Sequence, residues 1–166
     1  MTPPRPIPFL LSETELAICR NIGISRNRTQ NAHAVYDARV DPKSDSADIH
    51  IIGAKGEYVF AKHYGLPPPR VLVHGDGGVF DYMLNGLTVE IKTRGRLGGD
   101  FILPAYKKLA ADVADLCETP SLESDRVYIV GWLTRDDFAQ HQVRVNWGKG
   151  ETLVVNREFL RQVTAR

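Results

Sequence analysis

Val79-Phe80-Asp81-Tyr82-Met83-Leu84-Asn85-Gly86-Leu87-Thr88-Val89-Glu90-Ile91-Lys92-Thr93 decides how this chain folds. Two β-prone runs flank Asn85-Gly86, the dipeptide that most strongly signals a two-residue type I′ hairpin turn. With Asn85 and Gly86 as the loop, Leu84 faces Leu87, Tyr82 faces Val89, Asp81 faces Glu90 and Phe80 faces Ile91. Side chains alternate along a strand, so Phe80, Tyr82, Leu84, Leu87, Val89 and Ile91 share one face. That face is wholly apolar and is expected to be core. The opposite face carries Asp81, Met83, Thr88, Glu90 and Lys92.

This register sets two carboxylates across from each other, with Cβ atoms roughly 4.5–5.5 Å apart. Like charges so placed repel, and a half-buried site strengthens the repulsion. Lys92, two residues from Glu90 on the same face, offsets part of it. A divalent cation between the carboxylates would complete the balance, and hard oxygen ligands suit Mg²⁺, Mn²⁺ or Ca²⁺. The plain alternative is a solvated strand face with a chance Glu-x-Lys pair, because exposed faces often carry alternating charges. The opposed Asp81 weighs against that alternative.

Asp81, followed on the next strand by Glu90-Ile91-Lys92, resembles the motif of the PD-(D/E)XK nucleases, which have the restriction-endonuclease-like fold. Phe80 stands where the motif has Pro. The resemblance covers roughly residues 46–135. It implies an α/β domain in which a mixed central sheet is flanked by helices. It also implies metal-dependent hydrolysis of phosphodiester bonds in DNA, in recombination, repair, restriction or the processing of mobile-element or phage DNA. Asp81, Glu90, the Ile91 carbonyl and Glu57 on the preceding helix would hold one or two Mg²⁺ ions, with Mn²⁺ able to substitute. Lys92 would orient the attacking water and neutralise developing negative charge, while Thr88 and Met83 border the site. Many members of the family are dimers, so a homodimer is a partner to test for. Two other readings compete: a nucleic-acid-binding module that keeps the fold but does not cut, and an unrelated metal or scaffold protein.

Length and composition fit this picture. One domain suits 166 residues, and a core of that size is stable without staples. Net charge is only +1, so an anionic partner must be met by a local basic patch. No apolar run approaches the ~20 residues of a membrane span. The N-terminus has neither the apolar core nor the cleavage site of a signal peptide. Cys19 and Cys117 are the only cysteines, too few for a disulfide framework or a structural zinc site, so a reducing cytoplasm is the simplest compartment. There is no room for a separate target-recognition domain, which favours structure-directed or weakly specific cutting.

Residues 1–10, rich in proline, are expected to be an extended arm. Ser12-Glu13-Thr14-Glu15 is a capping box that opens a helix to about residue 22, and from Ser25 to Ser44 the pattern fades into a loop or linker carrying Arg26, Arg28, Arg39 and Lys43. A second helix is expected from Ser46 to Tyr64, ended by Gly65 and Pro67. Gly53 and Gly56 on its apolar face permit close approach to a sheet, and Glu57 sits at the edge of that face, where a carboxylate is costly unless paired. Arg70–Val73 is a candidate strand and Gly75–Gly78 a turn, with His74 and Asp76 near the Asp81 strand.

Beyond Lys92, Thr93–Asp100 reads as a flexible basic loop. Arg94 shares strand parity with Lys92, and Arg94 and Arg96 are expected to contact DNA phosphates. Residues 101–118 fit either a helix or a strand, and the family pattern favours a short helix and then a strand. Val127–Leu133 reads as a buried strand and Thr134 caps a short helix at 135–140. Val143–Trp147 and Thr152–Val155 read as a hairpin, and Asn156 caps a terminal helix. Gly148-Lys149-Gly150-Glu151-Thr152 lacks P-loop spacing, and Gly75-Asp76-Gly77-Gly78 precedes a strand rather than a helix, which excludes a dinucleotide fingerprint. The five histidines form no HExxH.

Overall fold

The computed structural model of the chain describes residues 2–32, 46–71, 80–148 and 150–164. Expectations for Arg39, Lys43, His74, Asp76 and the glycine turn at 75–78 lie outside those residues.

The central hairpin forms as its sequence dictates. Asn85 and Gly86 take φ of 52° and 80°, the two positive values a type I′ turn needs. They join β2 (Tyr82–Leu84) to β3 (Leu87–Arg94), with Leu84 opposite Leu87, Met83 opposite Thr88 and Tyr82 opposite Val89. Only part of the apolar face is core. Val89 and Ile91 are buried, whereas Phe80 is 39% and Leu87 48% exposed. The reason is position: β2 is the short edge strand, Phe80 precedes it and Leu87 adjoins the turn, whereas Tyr82 packs on Phe60.

Three further strands complete this sheet: β1 (Ile7–Leu10), β5 (Val113–Glu118) and β6 (Arg126–Thr134). The order is β1-β6-β5-β3-β2, with β3 and β5 parallel and every other pair antiparallel. The proline-rich arm is thus partly a strand, pairing Ile7 with Ile129 and Leu10 with Arg126. An edge position is where a strand tolerates a residue such as Pro8.

Two helices cover one face. The Ser12 capping box forms in both directions, Ser12 N–H to Glu15 Oε2 at 2.8 Å and Glu15 N–H to Ser12 Oγ at 3.2 Å. It starts α1 (Glu13–Ala32), which runs about ten residues beyond the expected end. α2 (Ser46–Tyr64) has the expected bounds, and Gly65 closes it at φ 67° with the Leu66 N–H donating to the Ala61 carbonyl at 2.8 Å. Gly56 is where α2 meets the sheet most closely, since a Cβ there would lie 1.9 Å from Thr93 Oγ1; a Cβ on Gly53 would meet nothing, while its carbonyl accepts the Thr93 hydroxyl at 3.5 Å. Cys19, Ala54, Val59, Phe60, Val89, Ile91, Cys117 and Ile129 form the core between these helices and the sheet.

The other face carries a second sheet in the order β4-β8-β7, built from β4 (Phe101–Pro104), β7 (Val143–Asn146) and β8 (Glu151–Val155), with α3 (Arg135–His141) beside it. Its core gathers Phe101, Leu103, Leu116, Val130, Leu133, Phe138 and Val155. The fold is therefore α/β, with a mixed central sheet between a helix layer and a smaller sheet. The stretch 101–118 contains two strands and no helix. Buried Phe101 and Leu103 alternate with half-buried Ile102 and Pro104, the pattern of a strand covered on one side. Thr134 caps α3 as expected, with Asp137 completing a capping box. The expected terminal helix shrinks to one 3₁₀ turn, Arg157–Phe159, after which Arg161 bridges back to Trp132.

Candidate active site

Asp81 lies just before β2, where pairing with β3 changes character. Its N–H donates to the Val89 carbonyl at 2.9 Å, and its carboxylate accepts the Ile91 N–H at 2.7 Å. The side chain thus stands in for a backbone carbonyl as acceptor of a β3 N–H, and the regular register ends at Tyr82 and Val89, short of an Asp81–Glu90 pair. The carboxyl is pushed up to about 7, first by the protein atoms crowding it and then by the negative charges of Glu57 and Glu90; the Ile91 N–H and Lys92 pull the other way. Crowding acts on the carboxyl although the residue as a whole is exposed.

Glu90 and Lys92 stand on β3 between the other strands, beside Ala114 and Leu116 of β5. Their side chains form an ion pair, and both are partly exposed. Sequence reasoning missed a second cation nearby: exposed Lys107, in the turn after β4, feels the charges of both Lys92 and Glu90. Burial, followed by the like charge of Lys92, lowers its pKa. Nothing local in the sequence marks Lys107, because its approach depends on how the second sheet packs.

Glu57 is buried on α2, as the helical periodicity suggested, and its charge is felt at Asp81. Both of its oxygens are taken by Arg26 of α1, Nη1 to Oε1 at 2.6 Å and Nη2 to Oε2 at 2.7 Å. Arg26 also donates to the Arg70 carbonyl, from Nη2 at 2.7 Å and Nε at 3.2 Å. A planar guanidinium matches a carboxylate in this two-pronged way, and burial of both ends makes the match necessary. The sequence holds a signal for it. Cys19, Ile22 and Arg26 recur at helical spacing, so the buried face of α1 continues to Arg26 with a charge in place of an apolar group.

The loop after β3 is pinned rather than loose. Glu118, 2% exposed, accepts the N–H groups of Gly98 at 3.2 Å and Gly99 at 2.8 Å and a bond from Arg157 Nη1 at 3.3 Å. Arg94 turns back onto this loop and donates to the Asp100 carbonyl at 2.8 Å. A Cβ on Gly99 would come within 2.6 Å of Arg94 Nε, so the glycine makes room for that side chain. Arg96 is exposed. Thr88 is held by Asp112, through its N–H at 3.0 Å and its hydroxyl at 2.8 Å, and Met83 is exposed.

The donor chemistry at Asp81 and Glu90 suits a hydrated divalent cation. Mg²⁺ keeps several waters and needs only one or two carboxylates, and a carboxyl raised by burial and then by negative neighbours is one that added positive charge would relieve. Glu57 is differently placed, with both oxygens committed to Arg26. Among the described residues, no group of three or more His, Cys, Asp or Glu side chains is arranged to hold a metal ion. No helix among them is long and apolar enough to cross a membrane. No model of a known protein family matches the chain, and no curated protein matches it.

Proposed function

We propose that this protein is a metal-dependent deoxyribonuclease of the PD-(D/E)XK type, working in a reducing cytoplasm. One observation carries the reading: the Asp81 carboxyl is docked across β3 beside the Glu90–Lys92 pair, raised first by burial and then by its negative neighbours. A perturbed carboxyl beside a glutamate–lysine pair is an arrangement expected of catalysis rather than of a solvated strand. Asp81 and Glu90 would hold Mg²⁺ or Mn²⁺, with the Ile91 carbonyl beside them. The metal, when bound, would supply an activated water and Lewis acidity at the phosphorus. Lys92 stabilises negative charge developing on the phosphate oxygens, and Lys107 adds to the positive potential there. Glu57 would reach the same centre only by giving up Arg26, so its role in the resting protein is to hold Arg26 and bias Asp81.

The capture of Glu57 by Arg26 favours a second reading, a nucleic-acid-binding module that keeps this arrangement without cutting. One assay separates the two: plasmid DNA incubated with the protein and Mg²⁺ or Mn²⁺, with EDTA as control. Nicking or linearisation that EDTA abolishes and Asp81→Asn removes is the expected result. Intact plasmid with either metal, from protein that binds the plasmid, would leave only the second reading.

A further inference from the structure

Lys107, Lys108, Arg135 and Arg144 line a single recess of about 430 Å³ on the side of the molecule built by β4, α3 and β7. They come from three separate parts of the chain: the turn after β4, the start of α3, and β7. Four cations converging on one recess repel one another, and a fold keeps such a cluster cheaply only if it is screened or if an anion is to fill it. Screening is partial here. Arg135 pairs with Asp112 at 3.3 Å and donates to the Ala110 carbonyl at 2.8 Å, and Arg144 pairs with Glu151. Both ion pairs are largely exposed, and exposed pairs of this kind hold their partners weakly. Neither Lys107 nor Lys108 makes an ion pair among the described residues.

We infer that this recess is the track for the DNA backbone, holding phosphates that flank the one placed at Asp81, Glu90 and Lys92. The inference rests on the nuclease reading and extends it from the reacting phosphate to its neighbours. Lys107 links the two regions, because it lines the recess and lies near enough to Glu90 and Lys92 for its ionisation to feel their charges. Leu109 and Phe138 add apolar lining and Gln142 an amide, and every charged group that lines the recess is a cation. Backbone contacts of this kind position DNA without reading its sequence. Arg94 lies outside this recess, with its Nη1 donating to the Asp100 carbonyl.

The test is fluorescence anisotropy of a labelled DNA duplex binding the whole protein in EDTA, across a series of salt concentrations, alongside plasmid cleavage in Mg²⁺. Removing one cation that neutralises a phosphate should reduce the slope of log affinity against log salt by about 0.9. Lys108→Ala and Arg144→Ala should each flatten the slope by about one unit and together by about two, equally for unrelated sequences. Lys108→Arg should restore its share of the slope. Thermal melts of the same variants confirm that they are folded, as expected for exposed sites. A folded double variant with an unchanged slope, from a protein that still cuts plasmid, overturns this track and leaves the nuclease reading standing. Flattened slopes without cutting in either metal keep the track and remove the nuclease reading. A wild-type protein that does not bind the duplex at low salt sinks the track.

Discussion

Removing Arg26 should do more damage than removing almost any other charged residue in this chain. Arg26 and Glu57 have side chains only 10% exposed, and they share two short charge-assisted hydrogen bonds. Arg26→Met keeps an unbranched apolar stem but leaves the Glu57 carboxylate buried without its counter-charge. Breaking one partner of such a pair costs about 3–5 kcal/mol, and the Arg70 carbonyl loses its donor as well. Against a total stability of about 5–15 kcal/mol for a domain, that is a large share. Replacing both partners, as in Arg26→Met with Glu57→Leu, should recover much of the loss, because no uncompensated charge remains. Urea unfolding followed by circular dichroism gives the four corners of the cycle, with an unchanged slope against urea confirming that only stability has moved. A coupling of about 2–3 kcal/mol is expected, at the upper end for residues in contact. Single variants that lose less than about 1 kcal/mol, or losses that simply add, would refute the view that this pair holds α1 to α2.

The remaining predictions concern ionisation and catalysis. The Asp81 carboxyl should titrate near 7 by carbon NMR in EDTA, with Glu90→Gln lowering the midpoint and Lys92→Ala raising it; a midpoint in the ordinary carboxylate range would contradict the crowding described above. Asp115 is buried beside Cys117, and burial holds its carboxyl well above the usual value. A raised acid favours the fold below its unfolded value of ~3.9 and loses that contribution as pH climbs through the folded value, at up to about 1.4 kcal/mol per pH unit. Asp115→Asn, which cannot ionise, should remove that share of the decline in melting temperature above pH 4, and a pH profile identical to wild type would contradict it. Lys92→Ala should fold and bind DNA yet lose about 10²–10³-fold in turnover, and Lys92→Arg should not restore it. Near-normal cutting by Lys92→Ala at saturating Mg²⁺ would take Lys92 out of the chemistry.

What the sequence determined by itself is what short-range rules govern. Asn85-Gly86 sets its own turn because two positive φ values are a local requirement, and the register of Tyr82, Met83 and Leu84 follows from that loop length. The Ser12 and Thr134 capping boxes and the Gly65 stop work the same way, each within one helical turn. Parity along β3 placed Glu90 and Lys92 together, and a 3.6-residue period put Glu57 on the buried side of α2. Tertiary structure decided the rest, because it rests on partners far apart in the chain. Arg26 finds Glu57 across 31 positions, and only that meeting turns an apparently polar stretch into the end of a buried helix face. Residues 7–10 became a strand because β6 offered an open edge, and 101–104 became one because β8 lay beside it. Arg94, read from the sequence as part of a loop, ends β3 and donates to the Asp100 carbonyl, because Glu118, Gly98 and Gly99 fold the following loop back within reach. The cationic recess is the extreme case. Lys107, Arg135 and Arg144 are ordinary surface residues in sequence, and only the packing of a second sheet against the first brings their charges together.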